Sequence, residues 1–294
     1  MRKKPRTARA VAANLGVQKE YARRLRNALR MLLRDALQDL HQELGMAHDA
    51  AGGFEPSPSD ITRRFAADMA RWMVKAGQVA KAISRWFCAA MYRSTTHAQK
   101  QALKAAGVSE KSIDARWGIP VLKRQYISPT AAKNLQKHIE DNTKLITKMA
   151  SQDLARLQAL REETNGQNVS FSDIESLLKG SQGFDEERAK RVALDQTNKL
   201  NQQIQRDNAA DLGITKCIWM HVPGQFTQRK THKAFDGKTF DTKIGLYDSD
   251  VGKNVLPGEL PYCRCLCTCI NIFFICEPWV SEMHMYIHKP RSCH

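Results

Sequence analysis

The chain has 294 residues, 42% of them hydrophobic and 26% charged, so a packed core is feasible and wholesale disorder is disfavoured. Aromatic residues make only 7%, with 16 Gly and 10 Pro, which argues against an all-β sandwich and for helix. The net charge of +16 is uneven: residues 1–130 hold 24 Lys/Arg against 10 Asp/Glu, whereas residues 131–294 hold 22 against 20.

Residues 1–16 read as a basic, mobile arm carrying Arg2, Lys3 and Lys4. An apolar stripe at helical spacing follows from about residue 17 to 44: Tyr21, Leu25, Leu29, Leu32, Ala36, Leu40 and Leu44. Arg23, Arg24, Arg26 and Arg30 occupy the rest of that surface. Residues 50–58 form a Gly/Pro loop, after which Ser59 or Asp60 caps a long helix with the stripe Phe65, Met69, Trp72, Ala76, Val79, Ile83, Phe87 and Met91. Residues 95–127 read as shorter helices and connections, broken at Gly107, Gly118 and Pro120. Ser128-Pro129 starts a further helix running to about Arg161, Ser as cap and Pro at the first helical position. A polar loop at 164–170, a short helix ending at Gly180, and a helix from about Gly183 to Leu212 complete the helical part. The last of these is rich in amides (Gln196, Asn198, Asn201, Gln202, Gln203), some of them suited to bonding a neighbouring loop.

Beyond Gly213 the character changes to a strand around 214–222, a short helix with Arg229 and His232 on one turn, and a tight turn at Asp236-Gly237. The fold class expected is α+β, mostly α: long helices, then a small C-terminal module with short antiparallel strands. The corresponding division is an arm over 1–16, a helical domain over 17–180, the module over 181–270 and an atypical tail over 271–294. The longest nearly apolar run, Cys269 to Cys276, is about eight residues, far short of the roughly 20 a transmembrane helix needs. The charged N-terminus lacks a following apolar stretch, so no secretory signal is expected.

Six of the eight cysteines lie in the last 32 residues. Without a secretory signal they read as reduced thiols or a metal site rather than a disulfide framework. Pro257-Gly258 turns the chain into Cys263-Arg264-Cys265, where period-2 alternation puts Cys263, Cys265, Cys267 and Cys269 on one face. Cys263 and Cys265 with His232 could hold a metal ion such as a structural zinc; the alternative is buried thiols packed as small hydrophobes. The basic block with Arg2, Lys3, Lys4, Arg23, Arg24, Arg26 and Arg30 favours polyanions, either nucleic acid or an acidic protein surface, or else is a solvated helical face.

The ordered set Trp219, Arg229, His232, Asp236-Gly237, Phe240, Pro257-Gly258 and Cys263-Arg264-Cys265 resembles the phage head morphogenesis family. These are minor head proteins typified by protein F of phage Mu and gene product 7 of phage SPP1. The helix from Arg188 to Asn201, including Asp195, is similar to the segment that precedes the motif in that family. The resemblance covers about residues 180–270, and the tail departs from it. It implies a non-enzymatic minor capsid protein of a phage or prophage, acting in procapsid assembly and in DNA packaging or ejection. The implied partners are the portal and the major capsid or scaffolding protein, with nonspecific contact to double-stranded DNA through the basic half. The implied location is the virion, at the head interior or portal vertex, or the bacterial host cytoplasm. The alternative is a metal-dependent nuclease-like or zinc-stabilised DNA-binding protein, in which Arg229, His232 and a Cys-bound zinc act near Asp236 and Asp241.

Overall fold

The structure, a computed structural model, describes residues 7–49, 58–107, 127–163, 171–224 and 229–269. Arg2, Lys3 and Lys4, the loops at 50–57 and 164–170, Gly118, Pro120 and the tail over 271–294 lie outside the described residues. Four long helices come first: α1 (Leu15–Asp49), α2 (Pro58–Ala105), α3 (Pro129–Glu163) and α4 (Phe171–Asp211). A small module follows with β1 (Lys216–Met220), α5 (Lys230–Ala234), β2 (Thr239–Asp241), β3 (Leu246–Asp248), β4 (Lys253–Val255) and β5 (Leu266–Cys269). The fold is therefore α+β, mostly α, with the short antiparallel strands gathered in the C-terminal part.

Two helical boundaries differ from those expected. α2 does not stop near residue 94 but runs through Gln99 and Leu103 to Ala105, because these residues continue its inward face. Gly180 and Gly183 do not break the chain either; both lie inside the single helix α4. An isolated glycine costs a helix interior only about 1 kcal/mol, which a long packed helix absorbs. The start of α3 is as expected: the Ala131 backbone N–H donates to Ser128 Oγ at 3.2 Å.

The chain forms two compact units, each discontinuous in sequence, and neither begins nor ends near residue 180. One unit comprises residues 15–89 and 136–194. Its core is the expected stripes: Leu29, Leu32, Ala76, Met149 and Ala150 pack together, and Leu33, Ala36, Trp72, Leu154 and Leu157 form a second cluster. Tyr21 stacks on Phe87 with ring centroids 4.0 Å apart, and its hydroxyl donates to Asn142 Oδ1 at 3.2 Å. The indole N–H of Trp72 donates to Asp39 at 2.7 Å, beside Arg71, and this holds the Asp39 carboxyl below its ordinary pKa.

The other unit comprises residues 1–14, 90–135 and 195–294. Its core joins Leu103, Ala209, Leu212 and Ile214 to Cys217, Trp219, Phe235, Phe240, Val255, Leu260, Cys263, Cys265 and Cys267. Three strands pair antiparallel in the order β2-β1-β5, with Cys217 opposite Phe240 on one side and Trp219 opposite Cys267 on the other. A separate hairpin pairs β3 with β4.

The arm expected to be mobile is partly built into this unit. Among residues 7–14, Ala8 and Val11 are buried. The Val11 carbonyl accepts Asn201 Nδ2 at 2.9 Å and Gln205 Nε2 at 2.8 Å. Asn201 Oδ1 in turn accepts Thr95 Oγ1 at 2.8 Å, and Asn208 Nδ2 donates to Gln99 Oε1 at 2.8 Å. The amides of α4 thus satisfy a backbone carbonyl of a segment that lies in no helix or strand, as buried polar groups require.

Candidate metal centre

Three loops bring the site together, and the local sequence fixes each. His232 lies in α5, a single turn that follows Arg229 in extended conformation (φ −95°, ψ 122°). α5 ends at Asp236-Gly237, where Gly237 takes φ 74° and its N–H returns to the Trp219 carbonyl at 2.9 Å. The backbone N–H of His221 donates to Asp236 Oδ1 at 2.8 Å, so Asp236 locks the end of β1 to this turn. Asp241 Oδ1 likewise accepts the Lys243 N–H at 2.8 Å. Both acids near His232 in sequence are turn acceptors.

The second approach is the segment from Pro257 to Cys265. Glu259 caps its first turn, accepting the Leu256 N–H at 2.9 Å and pairing with Lys253 at 2.8 Å. The Pro257 carbonyl accepts Arg206 Nη1 of α4 at 2.9 Å. Gly258 is buried with φ 76°, and a Cβ there would stand 2.7 Å from Gln202 Cγ. Gly258→Ala is therefore expected to cost about 2 kcal/mol, from left-handed strain plus the clash, readable as a lower urea midpoint. A midpoint equal to the wild type would show that α4 yields freely at Gln202.

Two contacts then deliver the cysteines. Both terminal nitrogens of Arg229 donate to the Pro261 carbonyl at 3.2 Å. The Tyr262 N–H donates to Asp195 Oδ1 at 2.6 Å, which holds Tyr262 at φ 59°, a conformation costly for a residue with a side chain. The next residue is Cys263. Cys263, Cys265 and Cys267 are buried and Arg264 and Leu266 only partly so, which bears out the alternation over these residues; pairing, however, begins only at Leu266. The side chain of Cys269 lies outside the described set.

The result is a buried group of His232, Cys263 and Cys265 whose ligand atoms all lie within 4.8 Å of one another and could hold a metal ion. His232 Nδ1 is 3.4 Å from Cys263 Sγ and 3.7 Å from Cys265 Sγ. Its other nitrogen, Nε2, stands 3.2 Å from Asp248 Oδ2, which is fully buried. The approach lies off the line of a hydrogen bond, and neither atom has another partner among the described residues. A carboxylate there favours the tautomer with its proton on Nε2, leaving the Nδ1 lone pair toward the sulfurs, as metal-binding histidines require. Asp248 Oδ1 is fixed by the Asp250 N–H at 3.0 Å.

The electrostatics suit a thiolate. A hydrogen bond from the Cys265 S–H, then His232, hold the Cys263 thiol well below its ordinary range despite burial. Cys265 is pushed up, first by its bond to Cys263 and then by burial. Trp219 is fully buried beneath the group, edge-on to His232, Phe235 and Phe240 at centroid distances of 5.2, 5.0 and 5.8 Å. This apolar floor excludes water from one side.

Every residue of the expected motif thus has a position in this unit: Trp219 and Phe240 in the core, Arg229, Asp236, Gly237, Pro257 and Gly258 in the turns, and His232, Cys263 and Cys265 at the centre. Arg264 is half-buried and belongs to the alternating segment. Asp248, Arg206 and His221 were not among the residues expected. Asp248 lies within the motif span, between Phe240 and Pro257, and His221 follows Trp219 by two residues, but neither belongs to a recognisable ligand spacing; Arg206 precedes the motif, on α4.

The basic residues on α1 are largely engaged. Arg23 makes a bidentate pair with Glu20 at 2.7 Å, and Arg24 bonds the same carboxylate at 2.8 Å while lying 4.1 Å from the Trp86 ring centre. Arg26 approaches Glu186 at 3.3 Å, and Glu186 also feels the charge of Arg30. No helix among the described residues is long and apolar enough to cross a membrane. No protein-family model, curated protein or solved structure matches the chain.

Proposed function

We propose that the chain is a minor head protein of a tailed phage or prophage, built on a C-terminal module that a structural zinc stabilises. The observation that carries this reading is the use of the motif residues. Arg229, His232, Asp236, Gly258, Cys263 and Cys265 are spread over 37 positions in sequence, and they meet around one buried His/Cys group as turn locks and ligands. A motif held together by a shared centre is a folding device, which suits an assembly protein. Two thiolates and an imidazole are a donor set that favours zinc over magnesium or calcium.

The activity proposed is assembly rather than catalysis. A metal nuclease needs a general base beside an open metal position. Asp236 and Asp241 are taken up by backbone N–H groups, and Asp248 faces the far side of His232. The basic half would touch DNA or acidic head-protein surfaces without reading sequence, and such contact would weaken steeply with salt. With Arg23, Arg24 and Arg26 already paired, that contact falls to other cations of the chain.

The test is co-assembly. The chain co-expressed with the portal and major capsid proteins encoded in the same genome is expected to cosediment with procapsids, and Cys263→Ser is expected to lower the amount incorporated. A wild-type protein absent from sedimented heads would overturn the reading. Plasmid nicking by the wild type but not by His232→Ala, with divalent metal added, would favour the enzyme instead.

A further inference from the structure

We infer that His221 is the fourth ligand of the metal centre, which closes it as a Cys2His2 site. The inference rests on the reading that His232, Cys263 and Cys265 bind zinc. Zinc lies about 2.3 Å from sulfur and about 2.0–2.1 Å from nitrogen, so two tetrahedral ligands stand roughly 3.4–3.8 Å apart. The distances from His232 Nδ1 to Cys263 and Cys265 sulfur are 3.4 and 3.7 Å, as such edges require. His221 Nδ1 is 3.6 Å from Cys265 Sγ, a third distance of the same length.

The backbone brings this ring to the edge of the cluster. β1 carries Trp219, which floors the centre, and His221 follows just past its end. The bond from the His221 N–H to Asp236 Oδ1 fixes that strand end to the turn behind α5, so both histidines are held by one turn. The set whose ligand atoms all lie within 4.8 Å of one another comprises His232, Cys263 and Cys265; His221 lies outside it and touches it at Cys265, so its ring has to turn inward to reach the ion. With His221 on the ion, no coordination position remains for an activated water, and the centre is structural.

Cobalt(II) is the probe, added to the metal-free full-length chain. The wild type is expected to take one equivalent and show the visible bands of a four-coordinate site with two thiolates. His221→Ala is expected to bind on the order of 100-fold more weakly, with added imidazole restoring the spectrum. His221→Cys is expected to raise the sulfur-to-cobalt charge-transfer absorbance by about half, three thiolates replacing two. That variant decides the matter should the alanine form fail to fold. Wild-type affinity and spectrum in His221→Ala, or two-thiolate intensity in His221→Cys, would overturn the inference and leave His221 as a hydrogen-bond partner of Cys265. A wild-type chain that takes up neither cobalt nor zinc would overturn the metal reading beneath it.

Discussion

Stripping the proposed zinc from the purified chain is expected to lower its thermal midpoint by roughly 10 °C. A site held by free zinc about 1,000-fold above its dissociation constant contributes about 4 kcal/mol. In a unit of this size each kcal/mol moves the midpoint by roughly 2–4 °C. Cys263→Ser should reproduce the shift, and a chelator should then add nothing, since both act on one centre. The centre couples the turn after β1, α5 and the segment before β5, so its loss frees three loops together. Scanning calorimetry with and without chelator reads this directly. Identical midpoints, with no zinc found by elemental analysis, would leave the cluster as packed thiols.

The second large effect is expected at Trp219. Its side chain is fully buried and touches Phe235, Phe240 and His232 edge-on. Trp219→Ala removes the floor of the centre and the middle of the module core, at a cost of about 3–5 kcal/mol. Trp219→Phe keeps an aromatic surface and should lose clearly less. Urea unfolding followed by far-UV circular dichroism separates the two variants. Metal affinity should fall alongside stability in the alanine form, because His232 loses the ring it packs against. A stable Trp219→Ala variant with unchanged metal binding would show that Phe235 and Phe240 collapse into the space.

Much of this architecture is visible in the residue pattern. The 3–4 spacing of Tyr21, Leu25, Leu29, Leu32 and Ala36 marks the buried face of α1, and all five are buried. Ser128-Pro129 marks the start of α3 because capping chemistry is local. The continuity of α4 through Gly180 and Gly183 is not visible, since a glycine's local preference against helix is weak and a long helix absorbs it. The two-unit division is hidden for a related reason: long helices give residues to both units, and composition along the chain does not register that.

The site divides in the same way. His232, Cys263 and Cys265 stand out by residue type and spacing. Asp248 does not, because nothing in an Asp-Ser-Asp turn announces that one carboxylate is fully buried behind a histidine. Asp195 was visible only as part of a helix similar to the family's; its bond to the Tyr262 N–H, 67 positions away, exists only in three dimensions. Alternation placed the cysteines on one face, but the pairing partners of β5 depend on β1, half a hundred residues earlier.

The Val11 carbonyl has a consequence for how the protein is made. Its two donors, on Asn201 and Gln205, lie 190 and 194 positions downstream. At about 5–20 residues per second, a ribosome needs roughly 10–40 s to reach them after Val11 is synthesised. During that interval the first segment has no seat, while much of the helical unit is already available to fold. The segment around Val11 is thus among the last parts to settle, and a bulky substitution there meets the protein at a late folding step.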